Sequence, residues 1–168
     1  MHSIDTQLFR KTFGALSTGV TVITTLDAQA ERFGVTANSF TSVSLDPPLV
    51  LWSQSSTSRS HAAFRDSDRF VIHILADDQS PISDRFARSG GDKFVGLDIE
   101  DGIEGLPIIR GCAAYLECRK IAAYPGGDHV IFLGHVEHLV RHDREPLVYK
   151  NGQYLPTAGA PALSQAAA

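Results

Sequence analysis

Cysteine is nearly absent, with only Cys112 and Cys118 in 168 residues. If both lay on one extended strand, six residues at about 3.3 Å each would separate them by roughly 20 Å. A disulfide needs Cα atoms within about 7 Å, so two buried, reduced thiols are expected. Positive charge is also scarce: 15 Lys+Arg stand against 19 Asp+Glu, a net charge of −4. Recognition of a phosphate backbone needs concentrated Lys and Arg, which argues against nucleic acid as a partner. No apolar run approaches the ~20 residues that cross a bilayer. The start, Met1-His2-Ser3-Ile4-Asp5, lacks the basic and apolar stretches of a signal peptide. A cytoplasmic protein with no membrane partner is the expectation. Motifs are missing too. There is no GxGxxG, GxSxG, HExxH, P-loop or CxxC, so Rossmann-type nicotinamide binding, hydrolysis and metal chemistry have no positive signal. No metal site is expected.

What is present is an ordinary globular composition, 43% hydrophobic. A chain of this length buries roughly 70% of its unfolded surface as one core. One domain is expected over residues 1–156, followed by a low-complexity, disordered tail over 157–168, rich in Ala. Asp5 to Thr18 has Leu8, Phe9, Thr12, Phe13 and Leu16 on one helical stripe, read as core, with Gly19 as its terminator. Val20 to Leu26 is almost wholly β-branched and predicts a strand. Phe33 to Ser44 continues in β character until Asp46-Pro47-Pro48 breaks it, and Leu49 to Trp52 begins another strand. His61 to Phe64 and Asp78 to Arg88 predict short helices. Arg69 to Leu75 is apolar on both faces, so it belongs in the middle of a sheet, with His73 as a satisfied core histidine. Residues 89–111 read as irregular. Ala113 to Ala123 and His129 to Arg141 flank a Pro125–Asp128 turn, and Asn151-Gly152 closes a last small hairpin. Many strands and few short helices predict a mainly β fold, a small barrel of six to seven strands with helical insertions.

Three segments have the composition of a binding site. In QSSTSRSHAAF, Ser58 and Ser60 precede a helix and can cap it. Capping does not account for Arg59, because a cation in the first turn is opposed by the helix dipole unless an anion compensates. Serine hydroxyls beside an arginine suit a phosphate. In GVTANSF, Asn38 and Ser39 interrupt a β-branched run; they suit either a polar outer strand face or a planar polar heterocycle. In GGDHVIFLGHV, Asp128 and His129 sit at the mouth of a hairpin after a glycine turn, where they orient a cofactor ring or the histidine is merely solvated.

The segments LFRKTFGALSTGVTVITT, GVTANSFTSVSLDPPLVL, SRSHAAF, RFA…DKF, GDHVIFLGHV and PLVYKNGQY occur in this order over about residues 8 to 155. Together they resemble the flavin reductases of two-component flavin-dependent monooxygenases. The resemblance implies an FMN-binding split β-barrel, a homodimer, and NADH- or NADPH-dependent reduction of FMN or FAD for a partner monooxygenase. It implies an isoalloxazine segment at Val35, Thr36, Ala37, Asn38 and Ser39 beside Leu51, Trp52 and Ser53. It implies phosphate contacts at Ser58, Arg59 and Ser60, and further flavin contacts at Phe86, Ala87 and Arg88 with Lys93 nearby. His129 matches the position that orients nicotinamide, with Tyr154 near it. The absence of an arginine cluster for a 2′-phosphate leans toward NADH. Two other readings stand beside this one: a flavin- or haem-binding split barrel without turnover, and a barrel oxidase for a phosphorylated pyridoxine-like substrate. The second of these wants a further basic phosphate site that the sequence does not show.

Overall fold

The computed structural model describes residues 4–155. Asp5 accepts the Gln7 N–H through Oδ1 at 2.8 Å, which starts helix α1 (Thr6–Gly14). The chain continues through β1 (Thr18–Gly19), β2 (Thr21–Leu26), β3 (Arg32–Ala37), β4 (Thr41–Leu45), β5 (Pro48–Ser55), α2 (His61–Asp66), β6 (Arg69–Ile74) and α3 (Ser80–Ala87). Then come β7 (Ile99–Asp101), β8 (Pro107–Ile109), the long β9 (Ala114–Gly126) and β10 (His129–Arg141), and finally β11 (Val148–Lys150) and β12 (Gln153–Leu155).

Seven strands form one antiparallel sheet in the order β3-β2-β6-β9-β10-β5-β4. The two edge strands, β3 and β4, are consecutive in the chain and joined only through residues 38–40. A flat sheet of that width would hold its edges about 29 Å apart, whereas the link reaches about 14 Å fully extended. The sheet must therefore curl until its edges approach, and this is what makes a split barrel of the predicted strand number. Ser39 marks the crossing. Its hydroxyl donates to the Ser53 carbonyl and accepts the Ser53 N–H, both at 3.0 Å, and so ties the link to β5.

Inside the barrel Ile23, Val50, Trp52, Phe70, Ile72 and Phe132 pack with Phe64, which α2 supplies. A second cluster on the outer face joins Val20, Val22 and Leu75 to Phe86 of α3, Phe94 and Leu147. β6 is thus covered on both faces, as its sequence requires. The threonines of β2 are buried but satisfied: Thr24 Oγ1 donates to the Pro107 carbonyl and Thr25 Oγ1 to the Arg69 carbonyl, each at 2.7 Å. His73 is fully buried. Its Nδ1 donates to the Val22 carbonyl at 2.9 Å, and Nε2 accepts the Ile109 N–H at 3.1 Å. Both ring nitrogens are used in the neutral form, and desolvation lowers its pKa to about 4. It is the core histidine the sequence predicts.

Several expectations are corrected. The first helix ends at Gly14, and Thr18 and Gly19 pair with Tyr149 and Val148 instead. Strand pairing claims the residues a longer helix would use, and Gly19 terminates nothing. The apolar stripe of α1 and Leu16 just beyond it is not core, since Leu8, Phe9, Phe13 and Leu16 are 51% to 64% exposed. The Phe33–Ser44 run splits in two at the barrel crossing. Residues 89–111 are less irregular than predicted, because β7 and β8 pair as a hairpin. Cys112 precedes β9, so the two cysteines do not share a strand; both are nevertheless free and buried, with burial pushing their thiols up to about 11 and about 12. The predicted tail over 157–168 lies outside the described residues.

Candidate functional site

Two adjoining cavities open along the edge of β3, which among the described residues pairs only with β2. One, of about 400 Å3, is walled by Val35–Ser39 at the end of β3, by Trp52–Ser55 of β5, and by Thr57, Ser58, Ser89 and His129. The other, of about 790 Å3, runs along Ala30–Val35 and is closed by Ser58–Ser60 and Phe86–Val95. Val35, Ser58 and Ser89 border both. Pockets of roughly 300–1,000 Å3 suit small organic ligands. Most residues lining the smaller one have short side chains, many of them polar, which suits the edge of a planar heterocycle. The larger one carries positive charge.

Those charges are arranged by local structure. Arg59 lies just before the N-cap residue Ser60 of α2, exposed, with its guanidinium close to Gly90. Arg88 follows the end of α3, also exposed. Among the described residues neither makes an ion pair, although other surface arginines do: Arg69 pairs with Glu104 and Glu137, and Arg119 with Glu137. Two cations left without carboxylates at a cavity wall form a place for an anion. Lys93 is otherwise engaged. Its Nζ donates to the Phe86 carbonyl at 3.0 Å and the Gly34 carbonyl at 3.2 Å, and desolvation lowers its pKa. It pins α3 to β3 and leaves one donor over.

The serines do not cap α2, contrary to expectation. Ser60 has no capping hydrogen bond from its side chain; its Oγ accepts from Gln54 Nε2 at 2.9 Å and lies 3.0 Å from Ser58 Oγ. Gln54 is inward-facing on β5, only 3% exposed. His129 opens β10 directly after the two-residue turn Gly127–Asp128, where Gly127 takes φ +75°. Its Nδ1 bonds Asp128 Oδ1 at 2.7 Å. The carboxylate fixes that nitrogen as donor and leaves Nε2 as the acceptor; the bond to His129 holds the Asp128 carboxyl below its usual range.

Of the residues singled out by sequence, the small cavity gathers Val35, Thr36, Ala37, Asn38, Ser39, Ser53, Ser58 and His129, and the large one Arg59, Ser60, Ala87, Arg88 and Lys93. Trp52 and Phe86 touch cavity walls, but both are fully buried. Trp52 packs against Phe64, Phe70 and Phe132 with ring centroids 5.0–6.0 Å apart, and Phe86 against Phe94 at 5.1 Å. Neither ring is available to stack on a ligand. Leu51 and Tyr154 border neither cavity. Tyr154 donates to Ser83 Oγ at 2.9 Å or Asp84 Oδ1 at 2.7 Å, on α3. Sequence reasoning missed Gln54 and Ser89. Gln54 was findable: in Val50-Leu51-Trp52-Ser53-Gln54 the period of two sends it inward with Val50 and Trp52.

The flavin reductase like domain family matches residues 13–158. The chain belongs to this family. Among curated flavin reductases it is 45% identical to the FMN reductase (NADH) SmoA of Agrobacterium fabrum over 150 residues, 89% of this chain and 85% of that one. It is 40% identical over 155 residues to the reductase subunit HsaB of a flavin-dependent monooxygenase of Rhodococcus jostii, 91% of this chain and 78% of that one. It spans about half the length of a longer flavin reductase relative from Rhizobium meliloti. Among solved flavin reductases, an NADH:FAD oxidoreductase of Streptomyces globisporus, in complex with NAD and FAD fragments, superposes with a TM-score of 0.87 at 37% identity, covering 95% of this chain and 98% of that one.

Proposed function

We propose that this chain is an NADH-dependent flavin reductase that delivers reduced flavin to a separate flavin-dependent monooxygenase. The observation that carries the reading is the junction of the two cavities. A slot lined by short polar residues and His129 meets, at Ser58 and Ser89, a chamber bearing two arginines that make no ion pair among the described residues. A flavin nucleotide has that division: a flat polar ring system and an anionic tail. Thr36 to Ser39 and Ser53 would meet the ring edge, and Ser58, Arg59 and Arg88 the phosphate.

A bound flavin supplies the electron sink for hydride from nicotinamide. The chain therefore has no acid or base to provide. Its work is to hold two ring systems in register. His129, oriented by Asp128, presents Nε2 as an acceptor at the rim, where it can take the N–H of a carboxamide. The main chain at the free edge of β3 offers N–H donors that stabilise negative charge developing on the ring. Mixing the purified protein with NADH and FMN and following absorbance at the nicotinamide band tests the reading. Turnover with free flavin is expected. Bound flavin that NADH cannot reduce would make this a carrier instead.

We also infer a homodimer working in the cytoplasm. The exposed stripe of α1 and Leu45, 93% exposed on edge strand β4, are apolar surfaces of the kind that associate. Two free buried cysteines suit a reducing compartment. Light scattering should give twice the chain mass, falling to a monomer in a Phe9→Glu, Phe13→Glu variant. A wild-type monomer with full activity would remove this inference.

A further inference from the structure

We infer that Gln54 is a positioning residue that presets the Ser58 hydroxyl as a hydrogen-bond donor to the flavin phosphate; this rests on the phosphate reading above. Gln54 is nearly fully buried, and its whole amide is spent locally. Oε1 faces His61 Nδ1 at 3.2 Å. A carbonyl oxygen only accepts, so in this arrangement His61 Nδ1 carries the proton and the amide nitrogen faces the serines. Nε2 then donates to Ser60 Oγ at 2.9 Å, with a longer reach of 3.4 Å to Ser58 Oγ. Ser58 and Ser60 hydroxyls lie 3.0 Å apart, a pair in which either atom can donate. Gln54 breaks that tie. Ser60 is buried, and Ser58 Oγ is the acceptor within reach of its hydroxyl among the described residues, so with the oxygen taking the amide N–H the Ser60 proton turns to Ser58 Oγ. The Ser58 proton is left over, and Ser58 is the residue of this network that borders both cavities. A hydroxyl beside an anion is useful only as a donor. The buried amide determines that polarity through Ser60.

The test is a double-mutant cycle read as the ratio of FMN to riboflavin affinity, since riboflavin lacks the phosphate. Quenching of Trp52, the only tryptophan, reports binding of both. Ser58→Ala should lower the ratio about tenfold, the worth of one charge-assisted hydrogen bond. Gln54→Glu makes the inner group an acceptor, turns both hydroxyl protons inward, and should lower the ratio at least as much. In the Ser58→Ala background Gln54→Glu should change it no further, because the two act as one unit. Additive losses would mean that the new charge acts directly on the phosphate, and would overturn the inference. So would equal losses of FMN and riboflavin, the mark of a merely structural role. If Gln54→Glu does not fold, the neutral Gln54→Met enters the same cycle, with a loss of about threefold expected that vanishes without the Ser58 hydroxyl; no loss would overturn the inference. An unchanged ratio in Ser58→Ala alone would instead refute the placement of the phosphate.

Discussion

His73 links the fold to pH in a way that can be worked through. It is fully buried with both ring nitrogens bonded as a neutral ring, and burial brings its pKa down from 6.5 to about 4. Between these values the unfolded chain binds a proton at this site and the folded chain does not. Stability must therefore fall as pH drops through this window, and be flat with respect to this group above 6.5 and below about 4. Linkage places the loss at about 2 kcal/mol by pH 5 and about 3 kcal/mol by pH 4. The assay is urea unfolding from pH 7 to pH 4.5 on wild type and His73→Asn. The variant cannot titrate at this position and loses at least one buried hydrogen bond. It should be less stable at pH 7 by roughly 1–3 kcal/mol. The decisive quantity is the difference between the two proteins. It should shrink by about 2 kcal/mol on going to pH 5, because acid penalises only the protein that still has the imidazole. Parallel curves would refute the reasoning and mean that His73 enters the folded state as readily charged as neutral.

Arg59→Ala should weaken FMN binding by about 1–3 kcal/mol while leaving riboflavin nearly unaffected; equal losses for the two ligands would move the phosphate elsewhere. His129→Ala should raise KM for NADH roughly 2- to 13-fold, the loss of one orienting hydrogen bond, with flavin affinity intact. A fall on the order of 10³-fold at saturating NADH would give His129 a chemical step, and a change in Tm alone would reduce it to a turn residue. Gly34→Ala should destabilise the protein by about 1–3 kcal/mol, because the added Cβ would come within 2.6 Å of Phe86 Cδ1. A stable variant with native flavin binding would mean that α3 can shift off β3 at little cost.

The parts of this molecule that were legible in the sequence are those whose side chains answer to their own strand. The two-sided apolar run at Arg69–Leu75 required a central strand, and the β6 positions in the sheet order confirm it. The glycine turns at 127 and 152 both take positive φ, as their hairpins need. What could not be read depends on partners brought from elsewhere. The stripe of α1 has helical period and apolar character, but period says only that residues share a face; what covers that face is decided by another element, and among the described residues none does. Trp52 and Phe86 show the same limit from the other side. The resemblance places both in flavin-contacting stretches, and their strand and helix turn the rings into the core. The serines before α2 obeyed the rule for caps in sequence and broke it in space, because an inward glutamine on β5 competes for the same hydroxyls. That competition sets the chemistry of the site: a cap would have spent Ser60 on the helix, whereas the bond to Gln54 ties it to Ser58 at the boundary between the two cavities.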